Sequence, residues 1–215
     1  MRSLTFLTDR TAIIGADTSV IINLNATGHA SAILKALPNR VVVVDTVVGE
    51  LEEGRRRGRD DAGLLDALVK DGVIDVVKLD AQGESYFEEL VIGPAAMTLD
   101  DGEAATIAYS LMQAGIAVID EKKATRICAE RFPSLRLVST VDVLADTEVQ
   151  DSLGEDTVAI ALFEALRKAR MRVFPHHVPW VIKLIGAERA SMCPSLPSQA
   201  RLPSMRSSGL GFKKA

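Results

Sequence analysis

The stretch DDGEAATIAYSLMQAGIAVIDEKKA, residues 100–124, joins an acidic start, a helical pattern, a short apolar run and a second acidic pair. Apolar side chains recur at helical spacing after the first acids, which predicts a helix that Asp100 or Asp101 caps. Gly115 is expected to end this helix in the left-handed conformation. The apolar run 116–119 then predicts a buried parallel strand, with another helix after it.

Two acidic side chains of this stretch are expected at the same edge of a sheet. Glu103 lies at the start of the helix, and Asp120 ends the strand. In an open α/β sheet, sites form at the carboxyl ends of the strands. Two carboxylates that converge there repel each other unless a positive charge lies between them, and a divalent cation is the obvious candidate.

The rest of the chain alternates strands and helices in the same manner. Short apolar runs predict further strands, at residues 12–16, 41–44, 73–79 and 135–138, with helical patterns between most of them. This alternation predicts an α/β fold in which a mainly parallel sheet carries helices on both faces.

The C-terminal part of the chain has a different character. Helical patterns continue to about residue 190, whereas residues 191–215 are rich in Ser, Pro, Arg and Gly without any period. We therefore predict a domain over residues 1–153, a helical extension over 154–190 packed on it, and a disordered basic tail over 191–215. Because such a tail has little apolar area to bury, we expect it to be dispensable for folding and to help hold RNA or a partner.

Composition and length are those of an ordinary globular protein. The chain has 215 residues, of which 47% are hydrophobic and 25% are charged. Two cysteines, Cys128 and Cys193, suggest neither a disulfide framework nor a zinc site, and Cys128 is expected in the core. Asp9 and Arg10 interrupt the N-terminal apolar residues, so no secretory signal is predicted and a cytoplasmic location is expected.

The charge is distributed unevenly along the chain. Residues 1–162 carry 15 Lys and Arg against 27 Asp and Glu, a net charge of −12, whereas residues 163–215 carry 10 against 2, a net charge of +8. The basic part is either an exposed tail without a partner or a region that contacts nucleic acid or an acidic partner.

Four acids occupy matching places in the predicted fold. Asp17 ends the first strand, and Glu50 lies in the helix after the second. Glu103 opens the helix before the fourth strand, and Asp120 ends that strand. Any one of them alone would be interpreted as a helix cap or a surface acid. Together they predict an oxygen-only site, which suits Mg²⁺ or Mn²⁺ and does not suit zinc or copper.

Other catalytic patterns are not found in the sequence. It contains no G-x-S-x-G, Walker or Rossmann glycine motif, and its three histidines do not suggest a hydrolase triad. His176 and His177 precede a predicted helix, and we interpret them as a cap or a surface feature.

Four motifs, in order, resemble those of PIN domains, the fold of VapC-like toxin ribonucleases and related nucleases. They are IGADTSVI at residues 14–21, VVGEL at 47–51, DGEAATIA at 101–108 and VIDEKKA at 118–124. The Gly-Glu-Ala form of the third motif resembles a subgroup of prokaryotic PIN proteins. The resemblance covers roughly residues 11–147, and the helical run 161–189 resembles the C-terminal extension of that subgroup.

This resemblance implies a three-layer α/β/α sandwich and metal-dependent endoribonuclease activity, as in the toxin of a type II toxin–antitoxin pair. It implies that one or two Mg²⁺ or Mn²⁺ ions activate the water that hydrolyses an RNA phosphodiester. The residues that match the acidic quartet are Asp17, Glu50, Glu103 and Asp120, with Asp101 and Glu121 as alternative ligands. Thr18 or Ser19 matches the hydroxyl position that orients a carboxylate or a water.

Basic groups must supply the phosphate contacts beside an acidic pocket. The candidates follow two of the acids closely, and they are Arg55, Arg56, Arg57, Arg59, Lys122, Lys123 and Arg126. RNA is the expected substrate, a cognate antitoxin and a homodimer stay open as partners, and no membrane partner is expected. Two other interpretations also stay open, namely a PIN nuclease of RNA processing and a catalytically silent PIN-like module that binds RNA or protein.

Overall fold

A computed structural model describes residues 9–201, and its centre is a five-stranded sheet. The strands are β1 Ile14–Ala16, β2 Val41–Val44, β3 Asp75–Val77, β4 Ile116–Val118 and β5 Arg136–Val138. They lie in the order β3-β2-β1-β4-β5, and each pairs in parallel with its neighbours. The predicted α/β class with a parallel sheet is therefore confirmed.

Helices connect the strands and complete the chain. They are α1 Thr18–Ala26, α2 Ala30–Ala36, α3 Asp45–Arg56, α4 Asp61–Lys70, α5 Ala81–Val91, α6 Asp101–Met112, α7 Lys122–Arg131, α8 Thr140–Ala145, α9 Thr147–Leu153, α10 Glu155–Glu164 and α11 Val178–Ser191. A π-helical segment, Ala165–Ala169, follows α10, and a 3₁₀ turn, Pro175–His177, precedes α11. No helix within residues 9–201 is long and apolar enough to cross a membrane.

The sheet is covered on both faces because its strands are apolar on both sides. Successive valines of β2 belong to different apolar clusters: Val41 and Val43 pack with α1, α4 and the C-terminal helices, whereas Val42 and Val44 pack with α6. Helices α5, α6 and α7 enclose a further cluster around Ala117 of β4. An unbroken β-branched run such as β2 is typical of a parallel strand buried in this way.

The connection between α6 and β4 corrects one detail of the sequence interpretation. The left-handed residue is Ala114, with φ of 48°, and Gly115 has no positive φ. Gly115 is needed for another reason, since a Cβ there would lie 2.6 Å from the carbonyl oxygen of Ile13. That carbonyl accepts the backbone N–H of Ile116 at 2.8 Å, so the missing side chain lets β4 reach β1.

The C-terminal helices continue the core beyond α9. Leu162 and Leu166 are fully buried, and α11 adds Val181 and Ile185 to the same cluster. The prediction of disorder from residue 191 onward is wrong for the first part of that segment. Cys193 and Leu196 are 0% and 2% exposed and belong to the same cluster. Two isolated apolar residues fix this segment without any periodic pattern, and the remainder of the predicted tail, 202–215, lies outside the described residues.

Truncation after Ala190 should therefore destabilise the protein, in contrast to what the sequence pattern suggested. Losing the buried side chains of Cys193 and Leu196 should cost about 2–5 kcal/mol of unfolding free energy, which lowers the melting temperature by roughly 5–20 °C. Thermal melts of the full chain and of two truncated forms, ending at Ala190 and at Arg201, test this. If the chain ending at Ala190 has the same melting temperature as the other two, the burial argument is wrong.

Candidate metal centre

The acids that the sequence grouped lie along one cleft of about 590 Å³ at the carboxyl edge of the sheet. Asp17 directly follows β1, and Asp120 lies two residues beyond β4. Glu50 comes from α3, and Glu103 comes from the first turn of α6. The acids that line the cleft are Asp17, Glu50, Asp100, Glu103, Asp120 and Glu121.

Strand order explains why the cleft forms at this point. The chain builds β1, β2 and β3 in one direction across the sheet, then returns to place β4 and β5 on the other side of β1. The connections after β1 and β4 therefore diverge and leave a crevice between them. Asp17 and Asp120 are the side chains that follow these two strands, so the topology brings together residues 103 positions apart in the sequence.

Asp17 is held at the start of α1. It is the N-cap residue, and its Oδ2 accepts the backbone N–H of Ser19 at 3.2 Å and the Ser19 hydroxyl at 2.8 Å. The side chain is buried. Burial raises the pKa of Asp17 to about 6, although the hydrogen bonds from Ser19 oppose the shift.

Asp120 is the most firmly held of the four acids. Thr140, the first residue of α8, donates its backbone N–H to Oδ1 at 2.8 Å and its hydroxyl to Oδ2 at 2.6 Å. Asn23 on α1 donates its amide to Oδ2 at 2.7 Å. Burial raises the pKa of Asp120 despite these bonds. The sequence analysis missed Asn23 and Thr140, and the available signals were an Asn four residues after Ser19 and a Ser-Thr pair after β5.

Glu50 is oriented by a hydroxyl and a backbone amide from two other elements. The Thr18 hydroxyl donates to Oε2 of Glu50, and the N–H of Gly102 donates to Oε1 at 2.8 Å. Both hydroxyls that the sequence singled out therefore bind carboxylates, Thr18 that of Glu50 and Ser19 that of Asp17.

Glu103 faces the greatest density of negative charge. Burial, together with the nearby charges of Asp17, Asp100 and Glu121, raises its pKa to about 7. Of the two alternative ligands, Asp101 is exposed and does not line the cleft, whereas Asp100, one residue earlier, does. Glu121 lines the cleft, but its Oε1 accepts the Arg172 guanidinium at 2.8 Å.

The donor set and the charge of the cleft fit a divalent cation bound through oxygen. Buried carboxylates that share one cleft are stabilised in the charged form when a cation balances them. Within residues 9–201, no three of these acids bring carboxylate oxygens within 4.8 Å of one another. This spacing suits Mg²⁺, which keeps several of its waters and is bound directly by only one or two carboxylates.

A family model designated DUF3368, described as a PIN domain, matches residues 13–187. The chain belongs to this family. The match spans all four acids and extends past the four motifs through most of the helical run 161–189, so the C-terminal helices are part of the family pattern. No curated protein and no solved structure shows significant similarity to the chain. PIN domains are usually metal-dependent nucleases.

The basic residues predicted to contact RNA mostly form ion pairs in this PIN domain. Arg55 and Arg56 lie in the last turn of α3, because the helix continues through Gly54. The pairs join Arg55 to Glu52 and Asp66, Arg56 and Arg57 to Glu53, Arg59 to Asp61, and Arg126 to Glu130. None of these basic residues lines the acidic cleft, whereas Arg59 and Lys122 line clefts next to it.

The tightest group of potential metal ligands in the described part of the PIN domain lies elsewhere. It consists of Asp142, His176 and His177. His177 is buried, and its Nε2 lies 3.0 Å from Oδ1 of Asp142. The other carboxylate oxygen of Asp142 accepts the backbone N–H and the hydroxyl of Ser139, the N-cap residue of α8. Burial acts to raise the pKa of Asp142, but the bonds from His177 and Ser139 hold it below its ordinary value. We interpret this group as a structural link between the 3₁₀ turn and α8.

The pKa values of the acidic cleft predict how stability depends on pH when no cation is bound. Asp17 and Glu103 have pKa values of about 6 and 7 in the folded protein, above their ordinary values. The folded state therefore holds protons that the unfolded state releases, and stability falls as pH rises from about 5 to 7.5. In EDTA, we expect a higher melting temperature at pH 5.5 than at pH 7.5.

The matched control for this dependence is a doubly neutral variant, Asp17→Asn with Glu103→Gln. It should lose the part of the pH dependence that Asp17 and Glu103 contribute, while Asp120, whose pKa burial also raises, keeps its own part. It should melt higher than the wild type at pH 7.5. The gain should reach about 1–3 kcal/mol, since each pKa unit corresponds to 1.36 kcal/mol. An equal pH slope in the wild type and the double variant would contradict the assignment of the shift to these two acids.

Proposed function

We propose that this PIN domain is a metal-dependent endoribonuclease that hydrolyses RNA phosphodiester bonds. The observation that carries the proposal is the convergence of four acids from four separate elements on one cleft at the switch point of the sheet. Helix caps or surface acids have no reason to meet in this way, whereas a cation site requires it. Membership of a family of typical nucleases supports the same conclusion.

The residues proposed to hold the cation, directly or through its bound waters, are Asp17, Glu50, Glu103 and Asp120. When bound, Mg²⁺ or Mn²⁺ supplies the Lewis acid for hydrolysis. Thr140 and Asn23 fix the carboxylate of Asp120, and Thr18 and the Gly102 amide fix that of Glu50. Such partners keep the carboxylates in place and are expected to matter nearly as much as the ligands.

Glu103 links cation uptake to pH. Its raised pKa of about 7 means that a large fraction is protonated at neutral pH without a cation. A carboxylate must lose its proton to bind a cation, so the apparent metal affinity should rise as pH increases through 7.

Metal binding should stabilise the folded protein, because the assembled site exists only in the folded state. At a concentration 100 times the dissociation constant, the gain is about 2.7 kcal/mol. The measurement is a thermal melt with EDTA against melts with Mg²⁺ or Mn²⁺, for the wild type and for Asp17→Asn. A wild-type melt that does not respond, or an equal response in both proteins, would remove the support for a cation at this site.

Activity is tested with a labelled single-stranded RNA incubated with the purified protein and metal. We expect internal cleavage that EDTA stops and that Asp17→Asn, Glu50→Gln and Asp120→Asn each reduce strongly. If RNA is bound but never cleaved under any metal condition, the silent binding module becomes the better description.

We also propose that the physiological role is that of the toxin in a type II toxin–antitoxin pair. Its support is the resemblance of the four motifs to those of VapC-like proteins. Expression should then arrest growth in a manner that requires Asp17, and co-expression of a DNA-binding antitoxin encoded next to it should relieve the arrest. Active protein whose expression leaves growth unaffected would favour a nuclease of RNA processing.

A further inference from the structure

A short segment after α10 crosses the rim of the acidic cleft. The π-helical segment Ala165–Ala169 ends at Arg170, whose φ of 53° is left-handed. Apart from Ala114, Arg170 is the one residue other than glycine within 9–201 that has a positive φ. A π-helical turn and a left-handed residue that is not glycine are both unfavourable features that concentrate at functional sites.

The segment is anchored in the core while its charged side chains face the cleft. Met171 is 1% exposed and Val173 is 8% exposed, whereas Arg170 and Arg172 are exposed. Alternation of buried and exposed residues is that of an extended chain. Arg170 and Arg172 both line the acidic cleft, so the anchoring residues hold two guanidinium groups beside the acids.

The two arginines differ in how they are engaged. Arg172 forms an ion pair with Glu121 at 2.8 Å. Arg170 has no side-chain hydrogen bond or ion pair with any residue of the described range 9–201. An exposed arginine left unpaired beside several carboxylates is available to a ligand, and its planar guanidinium suits the paired oxygens of a phosphate.

Two smaller clefts that contain basic residues share lining residues with the acidic cleft. Arg170 also lines a cleft of about 390 Å³ together with Arg59 and Lys168. Arg172 also lines a cleft of about 400 Å³ together with Lys122. The two arginines meet again in a smaller cleft of about 330 Å³. A polyanion with one phosphate over the acids would therefore find these cations close to that phosphate.

We infer that Arg170 and Arg172 form a clamp on the phosphates of a single-stranded RNA next to the scissile phosphate. The inference rests on the proposed nuclease function and assigns the substrate path to residues 170–172, which lie outside the four motifs. A single strand fits because Asp17 and Asp120 are almost fully buried at the base of the cleft. A duplex is too stiff to bend its backbone into such a recess at low cost.

The test measures RNA binding and not RNA cleavage. Asp17→Asn serves as the parent protein, with Mg²⁺ present at a fixed concentration, and its affinity for a labelled single-stranded RNA is measured against salt. Arg170→Gly is preferred to alanine because glycine accepts the left-handed backbone. Arg172→Ala completes the double variant. The matched control is Arg40→Ala, since Arg40 precedes β2 at the opposite edge of the sheet and pairs with Asp75 on the surface.

We expect the double variant to bind about tenfold or more weakly at low salt. The slope of log affinity against log salt should flatten by about 1.4, which is 0.7 for each of two lost phosphate contacts. Single-stranded DNA of the same sequence should show the same dependence on the two arginines, because phosphate contacts carry no sugar information. Arg40→Ala should behave as the parent does, and all variants should keep its melting temperature.

Three outcomes would overturn the clamp. They are unchanged affinity in the double variant, weaker binding with an unchanged salt slope, and an equal loss in Arg40→Ala. If the wild type cleaves RNA while the double variant binds as the parent does, the clamp alone is wrong. If the wild type neither binds nor cleaves RNA, the proposed function fails as well.

Discussion

Replacing Asp17 by asparagine should lower metal-dependent RNA cleavage by about 10²–10⁴-fold while leaving the protein folded. The side chain keeps its size and can still accept the bonds from Ser19 that start α1. What it loses is the charge of a proposed ligand at the centre of the cleft. Metal-ion catalysis contributes several kcal/mol, and each 1.36 kcal/mol changes the rate tenfold.

Asp101→Asn is the matched control for this variant. It removes the same charge at the start of α6, but Asp101 is exposed and does not line the cleft. We expect near wild-type kcat/KM for Asp101→Asn and the large loss for Asp17→Asn, both measured on the same RNA with saturating Mg²⁺. An equal loss of kcat/KM in the two variants would show that charge near the cleft, and not a ligand at Asp17, governs the reaction. Wild-type kcat/KM in both would show that Asp17 is not a ligand.

The sequence predicted best those features that depend on neighbours in the chain. The run of four valines in β2 was predicted with its observed limits, because β-branched residues in an unbroken run have few alternatives. β3 was predicted too long, at residues 73–79, whereas the observed strand is Asp75–Val77 at the sheet edge, with Asp75 and Val76 exposed. Edge strands are paired on one side only, so the pattern of apolar residues along the chain predicts their first and last residues poorly.

The sequence was least informative where a residue's role is decided by a distant element. Thr140 and Asn23 bind Asp120 across 20 and 97 positions, and no local pattern marks either as a partner. Gly115 is required by a carbonyl on the chain entering β1, which lies about 100 residues earlier. Cys193 and Leu196 are buried without any periodicity that would have shown it.

Asp101, the alternative ligand to Glu103, lies away from the cleft because of its position in the first turn of α6. Asp100 is the N-cap residue of α6, three residues before Glu103, and both line the cleft. Asp101 precedes Glu103 by only two and therefore points elsewhere. The sequence contained this information, but using it required the helix start, which acidic residues in series leave undecided.

Replacing Gly102 by alanine should separate activity from stability. Gly102 lies in the first turn of α6, where alanine favours the helix by roughly 1 kcal/mol. The added Cβ, however, would lie 2.8 Å from the Thr18 hydroxyl and 2.9 Å from Cδ of Glu50. Because the end of a glutamate side chain is flexible, Glu50 should move aside, and the hydrogen bond from the Gly102 amide should weaken with it. Loss of such positioning typically costs about 10–100-fold in activity or metal affinity.

Gly49→Ala is the control that isolates this effect, because Gly49 neighbours Glu50 on the same helix and a Cβ there would meet nothing within 4 Å. Both variants should melt at or above the wild-type temperature, as expected of a glycine replaced in a helix. Only Gly102→Ala should lose cleavage and require more Mg²⁺ or Mn²⁺ for half-maximal activity. If Gly102→Ala cleaves RNA as the wild type does, Glu50 need not stay where Thr18 and Gly102 hold it, and its place in the ligand set is wrong.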